Sequence, residues 1–348
     1  MMLTSATSTQ VTVSVIIPVY NGGESFRQCL SSLATTAPFP YEVIVVADGD
    51  TDGSWRLAQE FGAKVIRVPV SGGPAKARNL GAKAAQGDIL FFVDADVAIR
   101  PDTISQVAIA FEQQPDLAAL IGSYDDAPGT SNFLSQYRNL FHHYTHQTSR
   151  QEASTFWGAC GAIRRDIFMA IGGFDESYRL PCVEDIELGY RLKRAGYNIQ
   201  LHKTIQVKHL KRWGVISLLR ADIFYRAIPW TALLLRERQF ANDLNLQVSN
   251  RISVVLVYAL LGSLVAAWWW SGTLIAACWL SLALFALNAS VYQFFQEKRG
   301  IVFAAKTIPW HWLYYFYCGL AFAIGLARHL LAQYVWSQKV FGKLQLDT

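Results

Sequence analysis

The stretch Phe91-Phe92-Val93-Asp94-Ala95-Asp96-Val97 ends a short, continuous apolar run that begins at Ile89. Such a run predicts a strand buried on both faces of a sheet. Ligands of open α/β sheets bind beyond the carboxyl ends of strands, and residues i and i+2 of an extended chain point to the same side. We therefore expect Asp94 and Asp96 to face one ligand, and their oxygens suit Mg²⁺ or Mn²⁺. An Asx turn after a strand would leave the same pattern.

Three further apolar runs precede this strand, at residues 13–19, 41–47 and 64–68. Each is followed by a polar or glycine-rich loop and then by a segment with helical spacing. This repeated order predicts an α/β fold with a mostly parallel sheet and helices on both faces. The chain has no GxGxxG after its first strand and no GxxxxGK(S/T) loop, so neither a dinucleotide-binding fold nor a P-loop is predicted.

The composition is apolar for a soluble protein, with 52% hydrophobic and 16% charged residues among 348 and a formal net charge of +5. Zinc spacings, long basic runs and RNA-binding signatures are missing from the sequence, so nucleic acid is not an expected partner. The five cysteines are scattered, which is typical of reduced thiols in a cytosolic domain. Residues 1–12 are rich in Ser and Thr and are expected to form a disordered tail.

The apolar excess is concentrated in the last third of the chain. Residues 214–250 mix apolar and charged residues, which predicts amphipathic helices lying in the membrane interface. A membrane region at 251–335 then predicts three transmembrane spans, at about 252–270, 273–295 and 309–331, before a tail at 336–348. A re-entrant or interfacial arrangement of 301–331 is the alternative to the third span. We expect a multi-pass protein of the inner membrane with a cytoplasmic catalytic domain, and the sequence leaves the oligomeric state open.

Six short motifs follow one another along the chain: VSVIIPVYNGG at 13–23, VVADGDTDGS at 45–54, GGPAKARNLGA at 72–82, FFVDADV at 91–97, GGFDE at 172–176 and VED at 183–185. Their order and spacing resemble those of the family 2 glycosyltransferases over roughly residues 13–213. The resemblance implies a GT-A fold and an inverting transferase that uses a nucleotide-sugar donor and a divalent metal ion.

The resemblance also implies a set of residues that bind the donor, namely Pro18, Tyr20, Asn21, Asp48, Asp50, Lys76, Arg78, Asn79, Asp94, Ala95 and Asp96. In this set Asp48 would read the nucleoside. Lys76, Arg78 and Asn79 would lie near the nucleotide, and Asp94 and Asp96 would handle the ribose, the diphosphate and the metal ion. Many members carry two adjacent acids where this chain has Ala47 and Asp48, so the choice of nucleotide stays open. A solvated helix face would also explain Lys76 and Arg78.

The acidic pair Glu184 and Asp185 stands at the start of a segment with helical spacing, where it would also cap a helix. The resemblance implies that the pair is catalytic. Asp185 would be the general base that takes the proton from an acceptor hydroxyl. Glu184 would support Asp185 or contact the acceptor.

Residues 208–213, KHLKRW, resemble the QxxRW motif of membrane-embedded synthases in the family, with His209 in place of Gln. The resemblance implies that His209 contacts the metal ion or the diphosphate, that Arg212 clamps the diphosphate, and that Trp213 forms a flat wall for the acceptor. Gly161, in the small-residue segment 156–162, would lie beside the donor sugar and its diphosphate. A basic cluster next to the membrane is the alternative for 208–213.

We therefore expect a membrane-bound inverting glycosyltransferase that moves a sugar from a UDP- or GDP-linked donor to a lipid acceptor at the cytosolic leaflet. A processive polysaccharide synthase would need more spans to form a polymer channel. A polyprenyl-phosphate transferase usually carries an acidic-Gln-His-Pro-Pro pattern where this chain reads VAIRP at 97–101. A membrane scaffold with a degenerate sugar-nucleotide-binding domain is the non-enzymatic alternative.

Overall fold

The computed structural model describes residues 11–237 and 244–344, with the backbone alone from 332 onward. Residues 1–10 of the predicted amino-terminal tail and 345–348 of the predicted carboxy-terminal tail therefore lie outside the described residues. The chain divides into two compact units, Met1–Arg212 and Trp213–Thr348. The domain predicted at residues 13–213 ends one residue beyond the amino-terminal unit.

The amino-terminal unit is built on one sheet, whose described strands are β1 Val13–Val19, β2 Glu42–Asp48, β3 Lys64–Val68, β4 Ile89–Val93, β5 Val97–Ala98, β6 Leu117–Tyr124, β7 Cys160–Arg164 and β8 Asn198–His209. Their order across the sheet is β3-β2-β1-β4-β7-β6-β8-β5. Strands β1 to β4 pair in parallel, whereas β7 runs antiparallel to both β4 and β6. The α/β prediction is confirmed, and the sheet is mixed.

Helices cover both faces of this sheet: α1 Gly23–Ala34, α2 Ser54–Glu60, α3 Pro74–Ala84, α4 Thr103–Gln113, α5 Phe133–Thr148, α6 Arg165–Ala170 and α7 Glu184–Arg194. Successive strand residues point to opposite faces. Accordingly Ile17 and Phe91 join the core that includes α1 and α4, whereas Ile16 and Phe92 join the core that includes α3, α6 and α7. Burial on both faces explains why these strands are continuously apolar.

Strand β8 was not predicted from the sequence. Its burial alternates along most of its 12 residues, with polar side chains on the solvated face, so it lacks the continuous apolar run of the central strands. Its last residues pair antiparallel with β5, His209 opposite Val97. The backbone N–H of Leu210 donates to the carbonyl of Asp96 at 2.8 Å. This pairing fixes His209 beside the Asp-Ala-Asp turn.

The described part of the carboxy-terminal unit is helical: α8 Val215–Arg220, a π-helix Ala221–Ala227, α9 Ile228–Glu237, a 3₁₀ turn Leu244–Leu246, α10 Val248–Ala266, α11 Thr273–Leu287, α12 Ala289–Arg299 and α13 Ile301–Leu344. The helix predicted to begin at residue 309 begins at Ile301 and contains Pro309 within it. The same helix continues to Leu344, past the predicted start of the tail at 336.

Among the described residues, α10 is the helix that is long and apolar enough to cross a bilayer on its own. The second predicted span is broken between α11 and α12, which meet at a bend of 61° and would pass the same test only as a pair. The structure therefore supports one span, or two if the bent pair crosses as a unit. It does not support the three predicted spans.

Candidate active site

A buried arginine joins the strand and the helix that carry the predicted acids. Arg78 is 4% exposed. Its Nη2 donates to Asp94 Oδ1 at 2.7 Å and its Nη1 donates to Glu184 Oε1 at 2.8 Å. Glu184 also accepts the backbone N–H of Cys182 through Oε2. The sequence placed Arg78 near the nucleotide, and the structure adds that it organises the acidic residues.

Asp94 and Asp96 remain partly open to solvent, with 34% and 32% of their side chains exposed. Burial raises the pKa of Asp94, and the neighbouring Arg78 offsets only part of that rise. Burial also pushes the pKa of Asp96 upward, but His209 and Lys211 outweigh it, so this pKa is lowered. The two carboxylates are thus held in different electrostatic surroundings at one turn of the chain.

His209 lies against the second of these carboxylates. Its Nε2 is 3.7 Å from Asp96 Oδ2, and its ring stacks on Tyr124 at a centroid distance of 4.4 Å and an angle of 13°. Tyr124 is the last residue of β6 and was not recognised as a site residue. Its position at the carboxyl end of a strand, where ligands of α/β sheets bind, was the available signal.

The donor set fits a divalent cation that is completed by substrate oxygens. Asp94 Oδ2 accepts no hydrogen bond from the described residues, and Asp96 Oδ2 lies 3.7 Å from His209 Nε2. Among the described residues, no group of three or more His, Cys, Asp or Glu side chains is placed to hold a metal ion. Mg²⁺ usually takes one or two carboxylates and completes its shell with water and phosphate oxygens. The open carboxylate oxygens match that requirement.

Asp185 occupies the first turn of α7 beside Glu184. Its Oδ2 accepts the backbone N–H of Gly158 at 3.0 Å, and its Oδ1 accepts that of Ile186 at 2.8 Å. Burial, reinforced by the charge of Glu184, raises the pKa of Asp185 to about 6. A carboxylate with a pKa near the working pH is suited to general base catalysis.

Gly158 borders the acidic cluster, whereas Gly161 does not. A Cβ on Gly158 would lie 2.9 Å from Arg78 Cζ. Gly161 lies within β7, where it pairs with Phe92. A Cβ there would lie 2.4 Å from the carbonyl oxygen of Trp157. These neighbours of Gly161 belong to the packing of the sheet, and its predicted place beside the donor sugar and diphosphate stays a prediction.

Asp48, predicted to read the nucleoside, has its carboxylate occupied by the loop before α3. It accepts the Ser71 hydroxyl at 2.8 Å, and the backbone N–H groups of Gly72 and Gly73 at 2.8 and 2.9 Å. Charge-assisted bonds of this kind are stronger than neutral ones. Asp48 therefore shapes the loop that leads to Lys76 and Arg78.

Three other predicted donor residues also hold neighbouring loops. Asn21 Oδ1 accepts the backbone N–H of Thr51 at 2.8 Å, and Asp50 accepts that of Trp55 at 3.2 Å. Asn79 donates to the carbonyl of Phe174 at 2.9 Å and accepts its N–H at the same distance. The Asp50 contact is local, whereas Asn21 and Asn79 connect segments that are 30 and 95 residues apart in the sequence.

The remaining predicted residues are placed as follows. Tyr20 is 62% exposed, and Lys76 and Arg212 are also exposed, whereas Pro18 and Ala95 are half-buried. Arg212 ends the amino-terminal unit, and Trp213 is the first residue of the carboxy-terminal unit. The structure thus brings together Arg78, Asp94, Asp96, Glu184, Asp185 and His209, whose charged contacts lie within one unit.

The sequence matches two family models. Residues 14–172 match the model described as Glycosyl transferase family 2. Residues 138–213 match the model described as N-terminal domain of galactosyltransferase. The first match contains the loops around Asp48 and Arg78 together with the Asp-Ala-Asp turn, and the second contains Glu184, Asp185 and His209.

Curated relatives include a dolichol-phosphate mannosyltransferase of Pyrococcus furiosus, 30% identical over 205 residues, which are 57% of this chain and 54% of that protein. A validoxylamine A glucosyltransferase of Streptomyces hygroscopicus subsp. limoneus is 28% identical over 247 residues, which are 60% of this chain and 52% of that protein. The chain spans about a third to a half of the length of the first curated relatives that it matches.

Among solved structures, the fold is similar to that of the mannosyltransferase PcManGT from Pyrobaculum calidifontis in complex with GDP-Man and Mn²⁺, with a TM-score of 0.57. The sequences are 17% identical, and the likeness covers 90% of this chain and 87% of that one. At this identity the comparison concerns the fold alone. A family 2 glycosyltransferase model thus matches residues 14–172, and the fold of the chain is similar to that of a solved mannosyltransferase.

Proposed function

We propose that this protein is an inverting, metal-dependent glycosyltransferase that moves a sugar from a UDP- or GDP-linked donor to a membrane lipid. The observation that carries the proposal is the bridge of Arg78 between Asp94 and Glu184. This bridge holds a carboxylate with open oxygens and the helix start that contains Asp185 in one electrostatic cluster. Neighbouring carboxylates would thus bind the metal ion and act as the general base.

The donor side of this proposal uses the turn after β4. Asp94 and Asp96 would hold Mg²⁺ or Mn²⁺, with His209 as a neighbouring nitrogen donor. When bound, such an ion neutralises charge on a departing diphosphate. Lys76 lies exposed in the first turn of α3, where its charge and the free backbone N–H groups both favour a phosphate. PcManGT, which shares the fold, was solved with GDP-Man and Mn²⁺.

The acceptor side uses Asp185. An acceptor hydroxyl forms the new bond to the anomeric carbon while the bond from that carbon to the diphosphate breaks. The electron pair of the broken bond leaves with the diphosphate, and the hydroxyl proton passes to a carboxylate oxygen of Asp185. Attack opposite the leaving group inverts the anomeric centre. The pKa of about 6 leaves Asp185 ionised at neutral pH, which this step requires.

A lipid acceptor is supported by the apolar helices that follow the catalytic unit. Helix α10 is long and apolar enough to cross a bilayer, and the cluster Trp268, Trp269 and Trp270 beyond it is strongly exposed. Aromatic residues of this kind are enriched at membrane interfaces. We place the protein at the inner membrane with its catalytic unit in the cytoplasm. A lipid hydroxyl is the acceptor that we favour, because it must lose a proton and Asp185 would accept that proton.

The test measures release of nucleoside diphosphate by the detergent-purified chain. UDP- and GDP-sugars are supplied with Mn²⁺ or Mg²⁺ and a total membrane lipid extract. We expect release from one donor that depends on metal and lipid and that is abolished in Asp185→Asn. Unchanged nucleotide binding in this variant would show that the loss is catalytic. Binding without release from any donor would favour the scaffold, and a ladder of product lengths would favour the processive synthase.

A further inference from the structure

The carboxy-terminal unit contains a large cavity that takes no part in the proposed chemistry. Its volume is about 770 Å³, and it lies between the π-helix, α9, α10 and α13. Most of its lining is apolar, with Trp230, Val255, Tyr258 and Phe322 among the contributing side chains. Cavities of several hundred Å³ with apolar walls and a few polar groups are typical of small-molecule sites.

Two of the lining side chains are arginines, Arg226 from the π-helix and Arg251 from the first turn of α10. The lining also contains Asp222, which is 3% exposed and accepts the hydroxyl of Tyr317 at 2.6 Å. Among the described lining residues, two guanidinium groups and one carboxylate give a formal charge of +1. An anionic group would therefore complement the charged part of this otherwise apolar cavity.

Of the two arginines, Arg226 gives the stronger indication that the cavity binds an anion. It is half-buried, yet it makes no hydrogen bond or ion pair with any residue that the structure describes. A charge withdrawn from water is costly unless an opposite charge or hydrogen-bond acceptors compensate it. Guanidinium groups match phosphate oxygens in geometry as well as in charge.

The apolar lining follows the helix that is able to cross a bilayer. Along α10, Asn250 and Arg251 come first, and Val254, Val255, Tyr258 and Ala259 line the cavity over the next two turns. Val255 is 66% exposed and Tyr258 39% exposed, so this wall is open at the surface of the helix. The lining thus has a polar end followed by an open apolar wall, as a membrane lipid has a polar head group followed by a hydrocarbon chain.

We propose that this cavity binds a membrane lipid with an anionic phosphate head group. The phosphate lies on Arg226 and Arg251, and a hydrocarbon chain covers the apolar wall of α10 and α13. Lipid binding at this cavity does not depend on the proposed transfer reaction, and it can be measured without a sugar donor.

The experiment is native mass spectrometry of the full chain in detergent, titrated separately with phosphatidylglycerol and with diacylglycerol. We expect tighter binding of phosphatidylglycerol. Arg226→Gln should weaken that binding about tenfold, as expected for a lost charge-assisted contact, and Arg226→Lys should retain most of it. The matched control Arg299→Gln removes a basic residue that lies outside the cavity and should bind as the parent protein does.

A second pair of variants tests the apolar wall. Ala259→Trp fills the cavity, whereas Ala276→Trp adds the same side chain to an exposed position of α11 that is not part of the lining. We expect the first to reduce binding of both lipids and the second to leave it unchanged. Equal affinity for the two lipids, equal binding by the two Gln variants, or equal binding by the two Trp variants would each overturn the proposal. Displacement of the lipid by millimolar inorganic phosphate alone would also overturn it, since a free anion would then be the occupant.

Discussion

Arg78 donates to Asp94 at 2.7 Å and to Glu184 at 2.8 Å, so one buried guanidinium joins residues that are 16 and 106 positions away in the sequence. The bond to Asp94 ties α3 to the end of β4, and the bond to Glu184 ties it to the start of α7. Removal of one member of a buried ion pair leaves its partner without compensation, which costs much more than loss of an exposed pair.

Replacement of Arg78 by Met should lower the free energy of unfolding by about 3–5 kcal/mol, because the buried Glu184 and the half-buried Asp94 would both lose their counter-charge. Urea unfolding followed by circular dichroism measures this change. Arg27→Met is the control, since Arg27 and Glu24 are 3.8 Å apart with 54% and 72% of their side chains exposed. That variant should change the free energy by less than about 1 kcal/mol. Similar effects of the two variants would contradict a structural role for the bridge.

The kcat/KM of transfer should fall as the pH is lowered through about 6, because the pKa of Asp185 is raised to about 6 and the base must be ionised. Because its pKa is raised, Asp185 takes up a proton at a higher pH than an ordinary Asp does. Activity is therefore lost at a higher pH than an ordinary Asp would give. Asp185→Asn should lower kcat by about 10²–10⁴-fold. A pH–rate profile with a parallel measurement of folding checks both expectations. A flat profile between pH 5 and 8 would remove Asp185 from this role.

Replacement of Gly158 by Ala should reduce kcat/KM by pushing the Arg78 guanidinium away from Asp94. The added Cβ would lie 2.9 Å from Arg78 Cζ, and overpacking of this kind costs about 1–3 kcal/mol. Gly262→Ala is the control, because its Cβ would meet nothing within 4 Å. Steady-state kinetics of the two variants measures the difference. Parent-like kinetics in Gly158→Ala would show that the cluster tolerates the displacement.

Gly161→Ala should lower Tm while the KM for the donor stays unchanged in the fraction that folds. Its Cβ would lie 2.4 Å from the carbonyl oxygen of Trp157, so the strain falls on the sheet at a cost of about 1–3 kcal/mol. Thermal unfolding and donor titration are the two measurements. A raised KM with an unchanged Tm would instead support the contact with the diphosphate predicted from the sequence.

Replacement of His209 by Ala should weaken activation by Mn²⁺ more than activation by Mg²⁺. The imidazole Nε2 lies 3.7 Å from Asp96 Oδ2, and Mg²⁺ prefers oxygen ligands, whereas imidazole suits transition metals better. We expect the half-saturating Mn²⁺ concentration to rise about 10–100-fold, as for other residues that orient a metal ligand. The measurement is nucleotide release as Mn²⁺ or Mg²⁺ is added back to protein that has been freed of metal with EDTA. An equal effect on both ions would assign His209 to the diphosphate.

Much of the amino-terminal unit could be predicted from the sequence, because local patterns carry the information. The continuous apolar runs before Asp48 and Asp94 require burial on both faces of a sheet, and the helices between strands follow from their apolar spacing. The α/β fold and the position of both acids at the carboxyl ends of strands follow from these patterns. The acidic pair at the start of α7 was likewise visible as a local motif.

Other features depended on pairing between distant segments, which local patterns do not encode. Strand β7 is antiparallel within the sheet, and β8 places His209 beside Asp96 only through its register with β5. The structure also differs from the predicted membrane spans, because a 61° bend between α11 and α12 interrupts the uncharged run at 273–295.

The sequence by itself determined which chemical groups are present and on which element each one stands. The spacing of apolar residues is a local pattern, so helices and buried strands can be predicted from short stretches of the sequence. Three-dimensional packing alone established that Arg78 is shared by Asp94 and Glu184, that burial raises the pKa of Asp185, and that His209 lies beside Asp96. Those properties arise from atoms that approach within a few ångströms across long sequence separations, and burial and Coulomb interactions depend on that distance.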